Sequence, residues 1–153
     1  MIRRTLLLSF LLMGVMSFSQ NFKEFRALMK TGESSETSAK LLIKRSAEEL
    51  QAQKKPVYEA FLAVGNFFMA KHAINPLKKM SYFKQGKKML EDAVRKDPKN
   101  LEIRLMRLIS QEKTPKMLGY NQNITEDRNF LEKEYLNTND EDLKIYIKKY
   151  LKL

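Results

Sequence analysis

The chain has 153 residues, no cysteine and no tryptophan, and 29 Lys and Arg stand against 18 Asp and Glu, a formal net charge of +11. Without cysteine there is no disulfide staple, no lipid-modified cysteine and no thiolate zinc site, so an apolar core must hold the fold even in an oxidising compartment. The positive surplus attracts polyanions, anionic lipid headgroups or an acidic partner; spread over the surface, it serves solubility alone.

The first element is a targeting segment, set aside before any fold reasoning. Arg3 and Arg4 precede an apolar run at residues 6–16, broken only by Ser9 and Gly14. Ser17 and Ser19 place small residues three and one positions before a cut ahead of Gln20. Eleven apolar residues rise only about 16 Å as a helix, too little for a hydrocarbon core of roughly 30 Å. The expectation is a signal peptide over residues 1–19, cleaved near Ser19-Gln20, and export, most simply to a periplasm. The remainder, residues 20–153, keeps 27 basic against 18 acidic side chains and is long enough for one domain with its own core.

Prolines and polar clusters divide this domain into about seven helices. Residues 22–30 carry Phe22, Phe25 and Met29 on one side. A turn follows, with Ser35 or Thr37 as N-cap, and a second helix runs to about Gln53 on Ala39, Leu42, Ile43, Ala47 and Leu50. Pro56 suits the first turn of a third helix that is apolar on more than one side, so it should be central. Its Gly65 fits a close helix crossing. Asn75-Pro76 opens the fourth helix, through Phe83, Gly86, Leu90, Ala93 and Val94, and Asp97-Pro98 stops it. The fifth covers residues 100–113. Pro115 and a Gly119-Tyr120-Asn121 turn precede a sixth helix capped at Thr125. The last begins at Asn139, with a stripe of Leu143, Tyr146, Ile147, Tyr150 and Leu151 at helical spacing. No window alternates long enough to be a strand, and the domain should be all-α.

Phe61-x2-Val64-Gly65-x2-Phe68 followed by Gly86-x3-Leu90-x2-Ala93-x4-Pro98 resembles one helical hairpin of the tetratricopeptide repeat family. The stretch from Gly65 to Gly86 is about nine residues longer than the family's, and only one unit is clean. The resemblance implies tetratricopeptide-like hairpins in a short irregular solenoid or bundle, and a groove that holds a peptide. Asn75-Pro76-Leu77-Lys78-Lys79 and Leu118-Gly119-Tyr120-Asn121 are also similar to small secreted Bacteroidetes proteins of unassigned function, which implies a periplasmic location and no activity.

Few side chains suggest chemistry. His72, the sole histidine, has no second His or Cys to complete a metal site and suits capping or packing. The adjacent pairs Glu91-Asp92 and Glu126-Asp127 diverge by about 100° on a helix and form no shared acid–base cleft. Phosphate-loop, Ser-His-Asp and zinc patterns are absent, so no enzyme, cofactor or metal is expected. Asn123-Ile124-Thr125 fits a glycosylation acceptor that matters only in a eukaryotic secretory route. Lys78, Lys79, Lys84, Lys87 and Lys88 form the densest basic cluster, a solvated helix face or a strip for anionic lipid or an acidic segment; nucleic acid is a weak fit without interleaved aromatics. Arg104, Arg107 and Gln111 form a polar stripe on an otherwise apolar helix. Their partners are either carboxylates of a neighbouring helix, such as Glu112, Glu126 or Asp127, or a peptide in a groove bordered by Tyr120 and Asn121.

The expectation is therefore a non-enzymatic exported module that binds a protein or peptide in the cell envelope. A basic surface associating with anionic lipid or an envelope polymer is the alternative.

Overall fold

The computed structural model describes residues 22–153, so the expected signal peptide and its cut lie outside the described residues. Among the described residues seven α-helices and two 3-10 turns follow one another with no strand: α1 (Lys23–Gly32), α2 (Glu36–Gln53), α3 (Pro56–His72), α4 (Pro76–Lys96), α5 (Leu101–Lys113), a turn Lys116–Leu118, α6 (Ile124–Glu134), a turn Tyr135–Asn137 and α7 (Glu141–Leu151). They pack as a short helical bundle.

Local chemistry sets most boundaries. Ser35 caps α2 by accepting from the Ser38 N–H, Asn75 caps α4 by accepting from Leu77 and Lys78, and Asn100 caps α5 by accepting from Ile103. These side chains satisfy N–H groups that the first helical turn leaves without partners. Pro56 and Pro76 occupy first-turn positions. α2 ends on Lys54 in the left-handed conformation (φ 54°), which turns the chain into α3.

α3 is central, packing against α1, α2, α4 and α5. Its residues Val57, Tyr58, Ala60, Phe61, Ala63, Val64 and Gly65 are all buried. Its two close approaches go to different neighbours. A Cβ on Gly65 would lie 2.6 Å from the Ile43 side chain of α2, and one on Gly86 of α4 would lie 3.0 Å from the Ala63 carbonyl of α3. The aromatic cluster of Phe22, Phe25, Tyr58 and Phe61, with Phe25 and Phe61 centroids 4.9 Å apart, joins α1 to α3. Each such side chain stabilises the fold by about 1.5–3 kcal/mol through burial.

α5 joins two cores. Ile103 and Met106 belong to the first, with α1 to α4, whereas Leu105 and Leu108 belong to a second with Leu131 of α6 and Leu143, Ile147 and Leu151 of α7. A helix covered on two sides has one side left, and here that side carries Arg104, Arg107 and Gln111, all buried. Two starts and one buried position differ from the sequence reading. α6 begins at Ile124 after Asn123, not after Thr125; α7 is capped by Asp140, whose side chain accepts from Leu143, not by Asn139. In α2 the buried position next to Ala39 and Leu42 is Ser46, while Ala47 is exposed.

Candidate functional site

The polar stripe of α5 closes on α6. Asp127, in the first turn of α6 and wholly buried, receives the Arg104 Nε, the Arg107 Nε at 2.7 Å and the Arg107 Nη2 at 2.8 Å. Arg104 also donates to the Pro98 carbonyl (2.9 Å) and Glu126 (2.8 Å), and Arg107 to Glu91 of α4 (3.1 Å). The buried Tyr120 hydroxyl donates to Glu91 at 2.6 Å. Gln111 donates to the Asn123 side chain and accepts the Asn123 N–H at 2.9 Å, which pins the start of α6. The Arg104 guanidinium also lies 4.5 Å from the Phe130 ring centroid.

Burial opposes the charge of Arg107, but Asp127 and Glu91 outweigh it and hold the guanidinium charged well above its ordinary range. Burial and the bond to Glu91 push the Tyr120 hydroxyl up, so it stays a donor. The side-chain amide of Asn123, with the two arginines, holds the Glu126 carboxyl below its usual range. Arg104, Arg107, Gln111 and Tyr120 are thus brought into one buried network bonded to other protein groups. Asn121 lies apart, exposed beside the turn. Of the three carboxylates considered as arginine partners, Glu126 and Asp127 serve; Glu112 instead meets Arg128 and the Tyr150 hydroxyl.

A second buried network was not legible in the sequence. Arg26 of α1 donates to both oxygens of Glu102 in α5 (Nε at 3.1 Å from each) and to Asp140, the cap of α7, at 2.7 Å. Burial works against the charge on Arg26, and the two carboxylates outweigh it, raising its pKa. Arg26 looks like surface charge on a short amphipathic helix; only the approach of residues 76 and 114 positions away encloses it.

The remaining basic cluster is dispersed in role. Lys87 lies over the Tyr120 ring at 5.3 Å, Lys88 pairs with Asp92 at 2.9 Å, Lys78 and Lys84 are exposed, and Lys79 borders the cleft described next. His72 caps a neighbouring helix: its Nε2–H donates to the Gly32 carbonyl at the end of α1, 2.9 Å away. Among the described residues no group of His, Asp and Glu could hold a metal ion.

A cleft of about 810 Å³ opens where α1, α3, α4, α5 and α7 converge. Phe67, Phe68 and Met106 face it from the core, Met80 and Phe83 from α4, and Tyr146 and Tyr150 from α7. Lys30, Lys71, Lys79 and Lys113 stand around it with one carboxylate, Glu33. Glu33 already bridges two of them, Lys71 at 3.1 Å and Lys113, while Lys30 lies over the Tyr146 ring at 5.5 Å. Methionines at such a wall adapt to the shape of an occupant. Of the residues the sequence offered for binding a partner or an anionic surface, Lys79 reaches the cleft; Arg104, Arg107, Gln111, Tyr120 and Asn121 do not line it. The visible signal was the excess of apolar sides on α3, which leaves Phe67 and Phe68 half-buried once its neighbours are in place.

Fold and site together define a short all-helical bundle with an apolar cleft ringed by lysines. No protein-family model, curated protein or solved structure matches this chain.

Proposed function

We propose that this chain is an exported, non-enzymatic binding module of tetratricopeptide-like hairpins, and that its cleft receives apolar side chains of a protein or peptide partner in the cell envelope. The Arg3-Arg4 start and the apolar run at residues 6–16 support export. The observation that carries the binding reading is the cleft itself: its volume of about 810 Å³ is typical of ligand sites of about 300–1,000 Å³, and its wall is mostly apolar. Such a wall gains free energy by removing apolar groups from water, and it offers an occupant few directional contacts. The lysines at its edge favour a segment whose apolar anchors are flanked by carboxylates. Arg104 and Arg107 are buried and already paired with Asp127, so the cleft is the better site.

Filling the cleft tests this. Ala70 lines it and is half-buried. Ala70→Trp should retain helical content yet lose the partner that crosslinks to the wild type in envelope extracts. Equal recovery by both proteins would remove the cleft from the binding reading.

A further inference from the structure

Two segments frame the outer edge of the cleft. The start of α4 contributes Pro76, Lys79 and Met80 to its wall, and the segment after α5 contributes Pro115 and Leu118. Both carry large apolar side chains that nothing among the described residues covers. Ile74 is 96 %, Leu77 82 % and Met117 91 % exposed, far beyond the other large apolar residues on the surface. Apolar side chains that stand out singly are ordinary; three on two segments that border the same cleft make that edge unusually apolar.

The charge around these tips is one-sided. Between Glu59 and Glu91 there is no acidic residue, while Lys71, Lys78, Lys79, Lys84, Lys87 and Lys88 fall within that span. Between Glu112 and Glu126 there is again none, and Lys113 and Lys116 fall there. Glu33, which approaches Lys71 and Lys113 from α1, is the carboxylate that lines this side of the cleft. A protein partner would commonly meet apolar anchors with a mixed polar rim. Protruding apolar tips amid lysines without interspersed carboxylates match the boundary of an anionic bilayer, where acyl chains accept the tips and phosphates accept the ammonium groups.

We infer that the face bearing Ile74, Leu77 and Met117 docks on an anionic phospholipid surface, with those three side chains entering the headgroup boundary and Lys78, Lys79 and Lys116 meeting phosphates. Among the described residues no helix is long and apolar enough to cross a membrane, so the contact is peripheral. Attraction of juxtamembrane lysines amounts to about fivefold in partitioning per residue, and screening by salt weakens it. The inference is independent of what fills the cleft: it places the cleft's edge at the lipid surface, beside which a membrane-held partner would present its segment.

Vesicle flotation tests it, using protein recovered from expressing cells, with all variants sharing one N-terminus. Wild type should float with vesicles containing phosphatidylglycerol, bind phosphatidylcholine vesicles weakly, and release as salt rises. Replacing Ile74, Leu77 and Met117 together by Ser should weaken partitioning about tenfold or more, since each loses an apolar contact. Replacing Lys78, Lys79 and Lys116 by Gln should lower it about a hundredfold at low salt. Ala70→Trp should float like wild type, because the cleft's interior is not the lipid contact. Equal binding to both lipids, or undiminished binding by the triple Ser variant, would overturn the inference. Loss of flotation in Ala70→Trp would overturn it as well, by making the cleft the lipid site. Failure of the peptide reading shows in the Ala70→Trp crosslinking result and leaves flotation unchanged.

Discussion

Replacing Asp127 by Ala removes the carboxylate on which two buried arginines converge. Three charge-assisted hydrogen bonds disappear, from the Arg104 Nε and from the Arg107 Nε and Nη2. At about 1.5–3 kcal/mol for each bond to a charged group, a simple sum would exceed what is expected, because both arginines keep a second carboxylate. Arg104 retains Glu126 and the Pro98 carbonyl, and Arg107 retains Glu91. The loss should therefore be that of one broken buried ion pair, about 3–5 kcal/mol. That is a large share of the roughly 5–15 kcal/mol by which domains are stable. Urea unfolding followed by helical circular dichroism reads it as a lower midpoint with an unchanged slope. Glu126→Ala is the control: Glu126 is 58 % exposed at its side chain, so its loss should cost less than about 1 kcal/mol. Replacing Arg104 and Arg107 by Met and Asp127 by Leu together should recover much of the stability, since the carboxylates that lose an arginine, Glu91 and Glu126, are partly exposed and no fully buried charge is left unpaired. A cost below about 1 kcal/mol for Asp127→Ala would refute the view that this network fastens α6 to α5.

Ser46 is buried, and its hydroxyl is the one buried side-chain polar atom without a hydrogen-bond partner among the described residues; Ser46→Ala should raise stability by about 1 kcal/mol in thermal unfolding. Gly65→Ala places a Cβ 2.6 Å from Ile43 and should cost about 1–3 kcal/mol despite alanine's better helix propensity; a stabilised variant would show that α2 and α3 are not in close contact. Acid should unfold the protein in a defined window. Burial pulls Asp140 up, but Arg26 and the Leu143 N–H outweigh it and hold it low, and Asn123 with the arginines holds Glu126 low. A carboxylate depressed by folding contributes stability that is complete above its unfolded pKa and is lost as pH falls through the folded value. Burial raises Glu102, so its contribution runs the opposite way and offsets part of the loss. The Tm should be level from about pH 7 to 5 and fall below about pH 4; a Tm that rises into acid would contradict these pairings.

The fold was legible where the cause is local. Pro56 and Pro76 mark helix starts, Ser35 caps α2, and the apolar sides of α3 announce its central place. Starts governed by distant partners were displaced. Asn123 precedes α6 because Gln111 of α5 holds it, and Asp140 rather than Asn139 caps α7 because Arg26 of α1 also binds Asp140. Neither neighbour is visible in a window of a dozen residues. The stripe of Arg104, Arg107 and Gln111 was conspicuous in the sequence, yet polar residues on an apolar helix read equally as a groove or as an internal network. The choice depends on whether α6 covers them. The cleft was the least legible feature: five helices contribute to it, and its phenylalanines and methionines are indistinguishable from core residues until the packing leaves them without cover.

Site-specific photo-crosslinking in the living envelope tests the binding reading most directly. A photoreactive residue at Met80, inside the cleft, is compared with one at Ile145, which is 61 % exposed on α7 and does not line the cleft. The account predicts a discrete protein or peptide adduct from position 80, lost when Ala70→Trp is added, and none of that species from position 145. The same adduct from both positions, or one only from position 145, would contradict the cleft as the binding site.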